Sequence, residues 1–423
     1  MTEREQTLVS APSYEELHAR MTSCDELFVE VPNVLLAWKT LTPEDSHAIA
    51  DLRSRRGHGQ LSPRLLQPRP QLVELVGEAR RAGVRITLLT DAHLRSSSLA
   101  MTLAAYGLSF PSRVRDPLDV TPTPGADVLL VESTLMSSDA WPHLTSCIPA
   151  DRRIHVPSAL HAAREAGWGD IISCAETLNE RSLVSLSSTS AFLDLWDTSP
   201  DEKGHALGPT LTCFCIWLAG QLAGQGLDGV LFDAEEGALL RRGYDLVRSL
   251  QSNNLPAPHD VYVPYHARTL EGRTGDDVRK MALASLRHMD AHGLHMGARY
   301  ALVSMRPLDV PLEPSAYLPF DLQAFALCAD EPSSTHAWYV GHEGPALLDG
   351  LYLSPTPPLS HIDESGKAVF GVDTRSEREL QHLHALHEQA LVFCDDYLSS
   401  LFVPGISIEP ALVMRLAKAV LEA

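Results

Sequence analysis

Short apolar runs alternate with amphipathic segments along the first 185 residues. The runs typical of buried strands are LFVEV (27–31), VRITLLTD (84–91), ADVLLVES (126–133), DRRIHVP (151–157) and DIISC (170–174). Helical patterns separate them, at QLVELVGEARRAG (71–83), SSSLAMTLAAYGL (96–108) and ALHAAREAGW (159–168). In the first helix Leu72, Leu75, Val76 and Ala79 share one stripe, and Gly83 is placed to end it. Short strands alternating with helices predict βαβ units and a parallel, doubly wound sheet, so the fold class is α/β.

A serine- and threonine-rich stretch at 183–210 is predicted to connect this part to a second α/β unit. Beyond it, helical patterns at 209–226, 238–250 and 276–293 alternate with strand patterns at 227–233, 259–266 and 298–305. Amphipathic helices are predicted at 380–402 and 409–423. The predicted organisation is a polar lead-in at 1–20, a first domain at 21–185 and a second domain with C-terminal helices at 186–423.

Charge and cysteine content limit the classes of partner. The formal net charge is -20, and an acidic surface repels nucleic acid and anionic membranes. The 7 cysteines include no CxxC pair, which favours reduced, packed thiols. The longest apolar run (211–224) contains Gln221 and is too short to span a bilayer, and the amino terminus is polar. We expect a cytoplasmic protein with no membrane span.

Three segments carry a resemblance to a known family: 86–108, with Thr90-Asp91 at the end of a strand, 208–247, and RIHVPSALHAAREAGW at 153–168. They resemble the haloacid-dehalogenase (HAD) superfamily, and most closely a branch of predicted hydrolases often found beside or fused to glycosyltransferases. The resemblance implies a HAD-like, Rossmann-type sheet with a shortened cap. It also implies a nucleophilic Asp, a second Asp that protonates the leaving group, and a bound Mg²⁺.

The catalytic positions that the resemblance implies are altered in the first unit. The nucleophile position falls on Glu30, and the acid/base position falls near Asn33, or on Pro32 if the spacing is strict. Glutamate is one methylene longer than aspartate, and asparagine cannot donate and recover a proton at pH 7. At the fourth motif the Mg²⁺-binding Gly-Asp is replaced by Pro157-Ser158.

The cationic and second-unit positions are altered as well. The family lysine is missing, since no lysine occurs between Lys39 and Lys203, although Arg152 or Arg153 would be a candidate substitute. In the second unit, the family's Arg-Asp-Gly is replaced by Glu235-Glu236-Gly237, which leaves an acidic cluster with Asp233.

These departures predict a catalytically inactive HAD-like protein that acts by binding a protein partner or a small phosphorylated or sugar ligand. The degenerate catalytic positions are Glu30, Asn33 and Thr90, and the predicted ligand-binding positions are Asp91, Ser158, Asp233, Glu235 and Glu236. No cofactor is expected, with Mg²⁺ required only if the site is active. One alternative is a divergent HAD-like phosphatase or phosphotransferase that uses Glu30. Another is chemistry on a sugar or nucleotide sugar around His205 and the acidic cluster.

Several polar residues have simpler interpretations. Thr90-Asp91 is also typical of a helix cap. His288, His292 and His295 would suit a metal set, or simply the end of a helix at Gly293. The helix at 380–402 carries three more histidines, for which a solvated surface is the expected place. No GxSxG, GxGxxG or Walker A motif occurs.

Overall fold

The chain folds into two compact units in the computed structural model. The first comprises residues 1–201, 400–407 and 423, and the second comprises residues 202–399 and 408–422. The structure describes residues 12–54, 65–90, 103–104, 114–115, 120–133, 142–193, 196, 204–251, 254–262, 280, 283–284, 287–295, 297–307, 321–332, 335–348 and 350–422.

A parallel sheet of five strands organises the first unit. The strands of this unit are β1 (Glu26–Glu30), β2 (Leu36–Trp38), β3 (Leu66–Pro68), β4 (Arg85–Leu89), β5 (Val114–Arg115), β6 (Val128–Ser133) and β7 (Arg153–Val156). The sheet has the order β5-β4-β1-β6-β7, and all its pairs are parallel. Strands β2 and β3 form a separate antiparallel pair. The direction of strand order reverses between β1 and β6, and such a switch point is where open α/β sheets bind ligands.

Helices follow most of these strands, as the sequence predicts. They are α1 (Tyr14–Ser23), α2 (Pro43–Ser54), α3 (Pro70–Arg81), α4 (Pro142–Cys147), α5 (Ala159–Ala163), α6 (Gly169–Cys174) and α7 (Leu178–Phe192). In α3 the predicted stripe is correct, because Leu72, Leu75, Val76 and Ala79 are all buried. Gly83 follows with φ of 92°, a left-handed value that glycine adopts at low cost.

The central strand β1 is buried along its whole length, and its alternate side chains belong to two separate apolar clusters. Leu27 and Val29 pack with the α3 stripe and with Val131. Phe28 packs on the other face, with Leu89 and Leu130 among others. A strand covered on both faces reads as an apolar run in sequence. The polar end of β1, Glu30, is therefore carried into the protein interior by the packing of its neighbours.

Two segments of this unit differ from the sequence prediction. The serine-rich stretch predicted to be a connection does contain the division between the units, after Asp201, but it is helical as far as Phe192, within α7. Its start is fixed by a capping box between Thr177 and Glu180, and its hydroxyls at Ser182 and Ser188 donate to carbonyls one turn earlier. The run DIISC is not a strand but lies in helix α6. A short apolar run has no periodicity that separates the two structures.

The second unit also contains a parallel sheet of five strands, in the order β12-β11-β10-β8-β9. Its strands and the adjoining hairpin are β8 (Gly229–Asp233), β9 (Pro258–Val261), β10 (Arg299–Ser304), β11 (Asp321–Ala329), β12 (His336–Val340), β13 (Leu359–Ile362) and β14 (Ala368–Phe370). The helices are α8 (Gly204–Leu222), α9 (Ala238–Gln251), α10 (Glu343–Leu348), α11 (Glu377–Asp396) and α12 (Pro410–Glu422). The α/β class with parallel sheets is thus confirmed for both units, although β11 and β12 were not predicted. Throughout the described ranges, every helix falls short of the length and hydropathy needed to cross a membrane.

Candidate functional site

The carboxyl group of Glu30 lies at the end of β1 and is bound by groups of the protein itself. Glu30 is 1% exposed. Its Oε2 atom accepts a hydrogen bond of 2.6 Å from the backbone N–H of Ser133, at the end of β6. Its Oε1 atom accepts from the Ser133 hydroxyl and from the Asn33 side-chain amide, both at 3.3 Å. The two strands that flank the switch point are therefore joined by this carboxyl group.

Asn33 is held in place from both sides. It has φ of 72°, a left-handed value that asparagine tolerates better than most residues. Its backbone N–H donates to the Leu36 carbonyl at 2.7 Å. Its carbonyl accepts from Nη1 of Arg69 at 2.9 Å, and the same Nη1 donates to the Pro157 carbonyl at 2.9 Å. Arg69, which is 1% exposed, thus ties the loop after β1 to the loop after β7.

Thr90 and Ser158 lie at the same edge of the sheet as Glu30. Thr90 directly follows β4, the neighbour of β1, and is buried. Ser158 follows β7 and is also buried, but its hydroxyl accepts the backbone N–H of His161 at 3.1 Å as the cap of α5. The predicted neighbour of Thr90, Asp91, lies outside the described residues. Glu30 and Asn33 are therefore hydrogen-bonded to each other, whereas the Ser158 hydroxyl caps helix α5.

Burial changes the acid–base behaviour of Glu30. Loss of solvent raises its pKa to about 7, against the opposing effect of the hydrogen bonds from Ser133 and Asn33. Glu132, which precedes Ser133 and is also buried, raises it further. Burial raises the pKa of Glu132 too, while the nearby His155, with Nδ1 3.6 Å from Oε1, lowers it. Two buried carboxyl groups, those of Glu30 and Glu132, therefore lie near one another. Each retains its proton to a higher pH than it would in water.

The substitutes considered for the family lysine do not take its place. Arg152 forms an ion pair with Asp127 at 2.9 Å. Arg153 begins β7, and its Nε donates to the Ile148 carbonyl at 2.9 Å. Neither is described in contact with Glu30, in keeping with their wrong spacing in the sequence. A cationic side chain that contacts the loop after β1 is that of Arg69, which donates to the backbone carbonyls of Asn33 and Pro157.

The donor set described around Glu30 does not fit Mg²⁺, which takes carboxylate and water oxygens in octahedral geometry. The Glu30 carboxyl accepts hydrogen bonds, and the Ser158 hydroxyl caps a helix. Within the described ranges, no three His, Cys, Asp or Glu side chains group together as ligands. We therefore assign no metal-dependent step to this site.

The acidic residues of the second unit have structural contacts. Asp233 ends β8 and is 1% exposed. Gly237 donates to the Asp233 carbonyl at 2.6 Å, and a Cβ at Gly237 would lie 2.5 Å from that oxygen, so the turn requires glycine. Glu235 accepts from the Leu359 N–H at 2.6 Å, and its carbonyl accepts from the Ser354 N–H at 2.7 Å. Glu235 thus fastens the segment that leads into β13.

Glu236 is half-buried in the same turn. The carboxylates of Asp233 and Glu235 add to the burial that raises the pKa of Tyr262, whose hydroxyl also bonds to Thr356. In the described part of the chain, the three acidic side chains do not group as a set of metal ligands. For His205, whose side chain lies outside the described residues, the suggested chemistry stays a prediction.

The histidines also have structural places. His288 is buried, with Nδ1 2.9 Å from the Gly366 carbonyl and Nε2 3.4 Å from the Tyr262 N–H. Both ring nitrogens are therefore used, and Gly293, with φ of 76°, follows as the predicted helix end. His387 was expected on a solvated surface but is buried, with Nε2 2.9 Å from the Leu351 carbonyl. It lies on the same buried face of α11 as Leu383 and Leu386. The sequence did not reveal the full width of this face, because a histidine occupies one of its positions.

A surface cavity of about 370 Å³ lies at the opposite edge of the first sheet. It is lined by residues 121–128, Cys147, Pro149 and Arg152. Because residues 121–127 precede β6, this cavity is at the amino ends of the strands. Ligands of open α/β sheets bind at the carboxyl ends, so we do not assign it to the Glu30 site.

Sequence reasoning missed Arg69 and Ser133. Ser133 ends the predicted strand ADVLLVES, and a polar residue at the end of a strand next to β1 was a usable signal. Arg69 lies beside Pro70 in a basic stretch, and nothing in the sequence distinguishes it from a solvated arginine.

Comparison with known proteins adds no assignment, since no protein-family model matches the chain and no curated protein matches it significantly.

Proposed function

We propose that the first unit is a HAD-like domain that has lost hydrolysis and acts by binding. Its ligand is a protein partner or a small phosphorylated or sugar molecule. The strand order, with its reversal between β1 and β6, is compatible with a doubly wound, HAD-like arrangement. A crevice at the carboxyl ends of β1 and β6 is the expected place for a small ligand.

The observation that carries this proposal is the state of Glu30. A nucleophile must present a charged oxygen to the substrate at about 3–3.5 Å. Glu30 instead directs both oxygens to Ser133 and Asn33, is buried, and has a pKa of about 7. Asn33, at the acid/base position, donates to Glu30 and has no proton to give to a leaving group. The residues that would perform phosphoryl transfer are thus bonded to one another.

Enzyme assays test the loss of hydrolysis. Wild-type protein and the Glu30→Gln variant are incubated with p-nitrophenyl phosphate and Mg²⁺, and we expect neither to release p-nitrophenol faster than buffer. Glutamine preserves the size of the side chain and removes its charge, so it is a matched control. Turnover by the wild type that the variant lacks would contradict the proposal.

Thermal unfolding tests the second part of the proposal, that the protein binds a ligand or partner. Sugars, sugar phosphates and nucleotide sugars are titrated into the wild-type protein, and a ligand should raise the melting temperature saturably without being consumed. Native mass spectrometry of gently purified protein tests for a bound partner chain or a retained small molecule. If no compound shifts the transition and nothing co-purifies, this part of the proposal is refuted.

The alternative is a divergent phosphatase or phosphotransferase that uses Glu30. One observation favours it, because a carboxyl group with a pKa of about 7 is well matched to acid–base catalysis near neutral pH. The p-nitrophenyl phosphate assay separates the two hypotheses. We favour binding since the same carboxyl group is 1% exposed and is satisfied by protein donors.

A further inference from the structure

The donors around Glu30 are positioned by the backbone rather than by Glu30. The Ser133 amide belongs to the last residue of β6, which is paired with Val156 of β7. Asn33 is fixed by its own hydrogen bonds to Leu36 and Arg69. When the Glu30 side chain is removed, these anchors remain. The N–H and O–H of Ser133 and the Asn33 amide, which we call the carboxyl cradle, would then enclose a polar space with no occupant.

We propose that the carboxyl cradle is a binding site for a carboxyl group, that its resident ligand is the Glu30 side chain, and that the carboxyl group of external acetic acid occupies it when Glu30 is truncated. The inference rests on the proposed function in one respect, since it treats this crevice as a place that binds rather than hydrolyses. It also gives a reason why external anions do not bind there in the wild type: the tethered carboxyl group is present at a high effective concentration.

Size and chemistry point to acetate as the probe. Substitution of Glu30 by alanine removes the same heavy atoms that acetate contains. Engineered internal cavities take up small molecules that match their shape and polarity. The two oxygens of a carboxyl group would meet Ser133 and Asn33 as those of Glu30 do, a two-point contact that chloride cannot make. Formate has the same two oxygens but lacks the methyl group that would take the place of the Glu30 Cγ atom, and inorganic phosphate has more heavy atoms than the substitution removes.

The test measures the melting temperature of Glu30→Ala in increasing sodium acetate at about pH 5, where a free carboxyl group is partly protonated, with sodium chloride at equal ionic strength as the reference. We expect a saturable rise of about 3–5 °C at an acetate concentration ten times the dissociation constant. Formate should give a smaller rise, and phosphate should give no more than chloride. A response to acetate that does not exceed the response to chloride overturns the proposal.

Matched variants separate the cradle from a general cavity effect. Glu30→Gln keeps the cradle filled and should not respond to acetate. Leu130→Ala opens an apolar cavity on the neighbouring strand, where Leu130 is fully buried, and should not respond either. Adding Ser133→Ala to Glu30→Ala removes a donor and should weaken the acetate response. If Leu130→Ala responds as strongly as Glu30→Ala, the proposal is wrong.

Insolubility of Glu30→Ala would not prevent the test. The variant is then refolded from urea in acetate or in chloride, and the soluble yield is compared. Recovery in acetate alone supports the cradle, and equal recovery or equal loss in both salts refutes it. Wild-type phosphatase turnover would refute the proposed function while leaving the acetate result unaffected. A missing acetate response would refute the cradle without implying turnover.

Discussion

Replacing Glu30 by glutamine should change how stability depends on pH. In the folded protein, burial raises the pKa of Glu30 from 4.5 to about 7. The unfolded chain exposes this residue to water, where it returns to its ordinary value. Between these two pH values the folded state holds a proton that the unfolded state releases, so wild-type stability must fall as the pH rises through this interval.

The size of the effect follows from the interval. Each pH unit over which the protonation states differ corresponds to about 1.4 kcal/mol, and the interval from 4.5 to about 7 therefore corresponds to about 3 kcal/mol. Below pH 4.5 Glu30 is neutral in both states, and above pH 7 it is ionised in both. The contribution of Glu30 to the free energy of unfolding is thus constant outside the interval.

Glutamine has no proton to lose and can still accept from Ser133 through its carbonyl oxygen. We expect the free energy of unfolding of Glu30→Gln to be nearly that of the wild type at pH 4.5. As the pH rises, it should exceed the wild-type value, by up to about 3 kcal/mol at pH 8. Urea unfolding of both proteins at a series of pH values measures this difference, from which the other titrating groups cancel. Leu130→Ala is the control, since its loss of stability should not vary with pH.

The opposite slope would refute the reasoning. If the wild type became more stable relative to Glu30→Gln as the pH rose, the folded state would favour the charged carboxylate. A cation or a charged donor set would then lie beside Glu30, as a hydrolase requires. A difference independent of pH would mean that the folded and unfolded pKa values are equal, so that the hydrogen bonds from Ser133 and Asn33 offset the effect of burial in full, and it would refute the reasoning as well.

Three further substitutions test other parts of the structure by urea or thermal unfolding. Leu75→Ala, in the buried stripe of α3, should cost about 2–5 kcal/mol, and a loss below 1 kcal/mol would contradict its place in the core. Gly237→Ala forces a Cβ to within 2.5 Å of the Asp233 carbonyl and should lower the melting temperature, whereas Gly220→Ala, with open space beside it in α8, should raise it or leave it unchanged. Ser376→Ala removes the capping box of α11 and should cost about 1 kcal/mol, and an unchanged free energy of unfolding would show that the cap is not needed.

The elements that sequence predicts best are those whose residues repeat with a clear period. Helix α3 is an example, since its stripe and its terminal glycine both lie where predicted. Residues 170–174 and 183–192 were assigned wrongly because a short apolar run and a serine-rich helix lack that period. Strands β11 and β12 were missed because their apolar runs, FALCA at 325–329 and AWYV at 337–340, are too short for a period that separates strand from helix.

The site was predicted only in part, and for a physical reason. Position at the end of an apolar strand identifies Glu30, since the carboxyl ends of parallel strands carry ligands. What the sequence does not contain is the partner of each oxygen. The pairing of β1 with β6 brings Ser133 to Glu30, and Arg69 reaches the same loop from the start of α3. Such contacts depend on sheet order, which one sequence does not specify.

The use of Ser133 and Asn33 by Glu30 bears directly on catalysis. A set of donors can stabilise one anion at a time, and here they hold a carboxyl group of the chain. For phosphate to use them, Glu30 would have to leave the cradle, and a buried carboxyl group that leaves its donors loses about 1–3 kcal/mol for each unmade bond. Hydrolysis by the same Glu30 would also need it to remain beside the phosphate as nucleophile. These two requirements oppose each other, and glutamine separates them, because its carbonyl oxygen can keep the bond from Ser133 while the substitution removes the nucleophile.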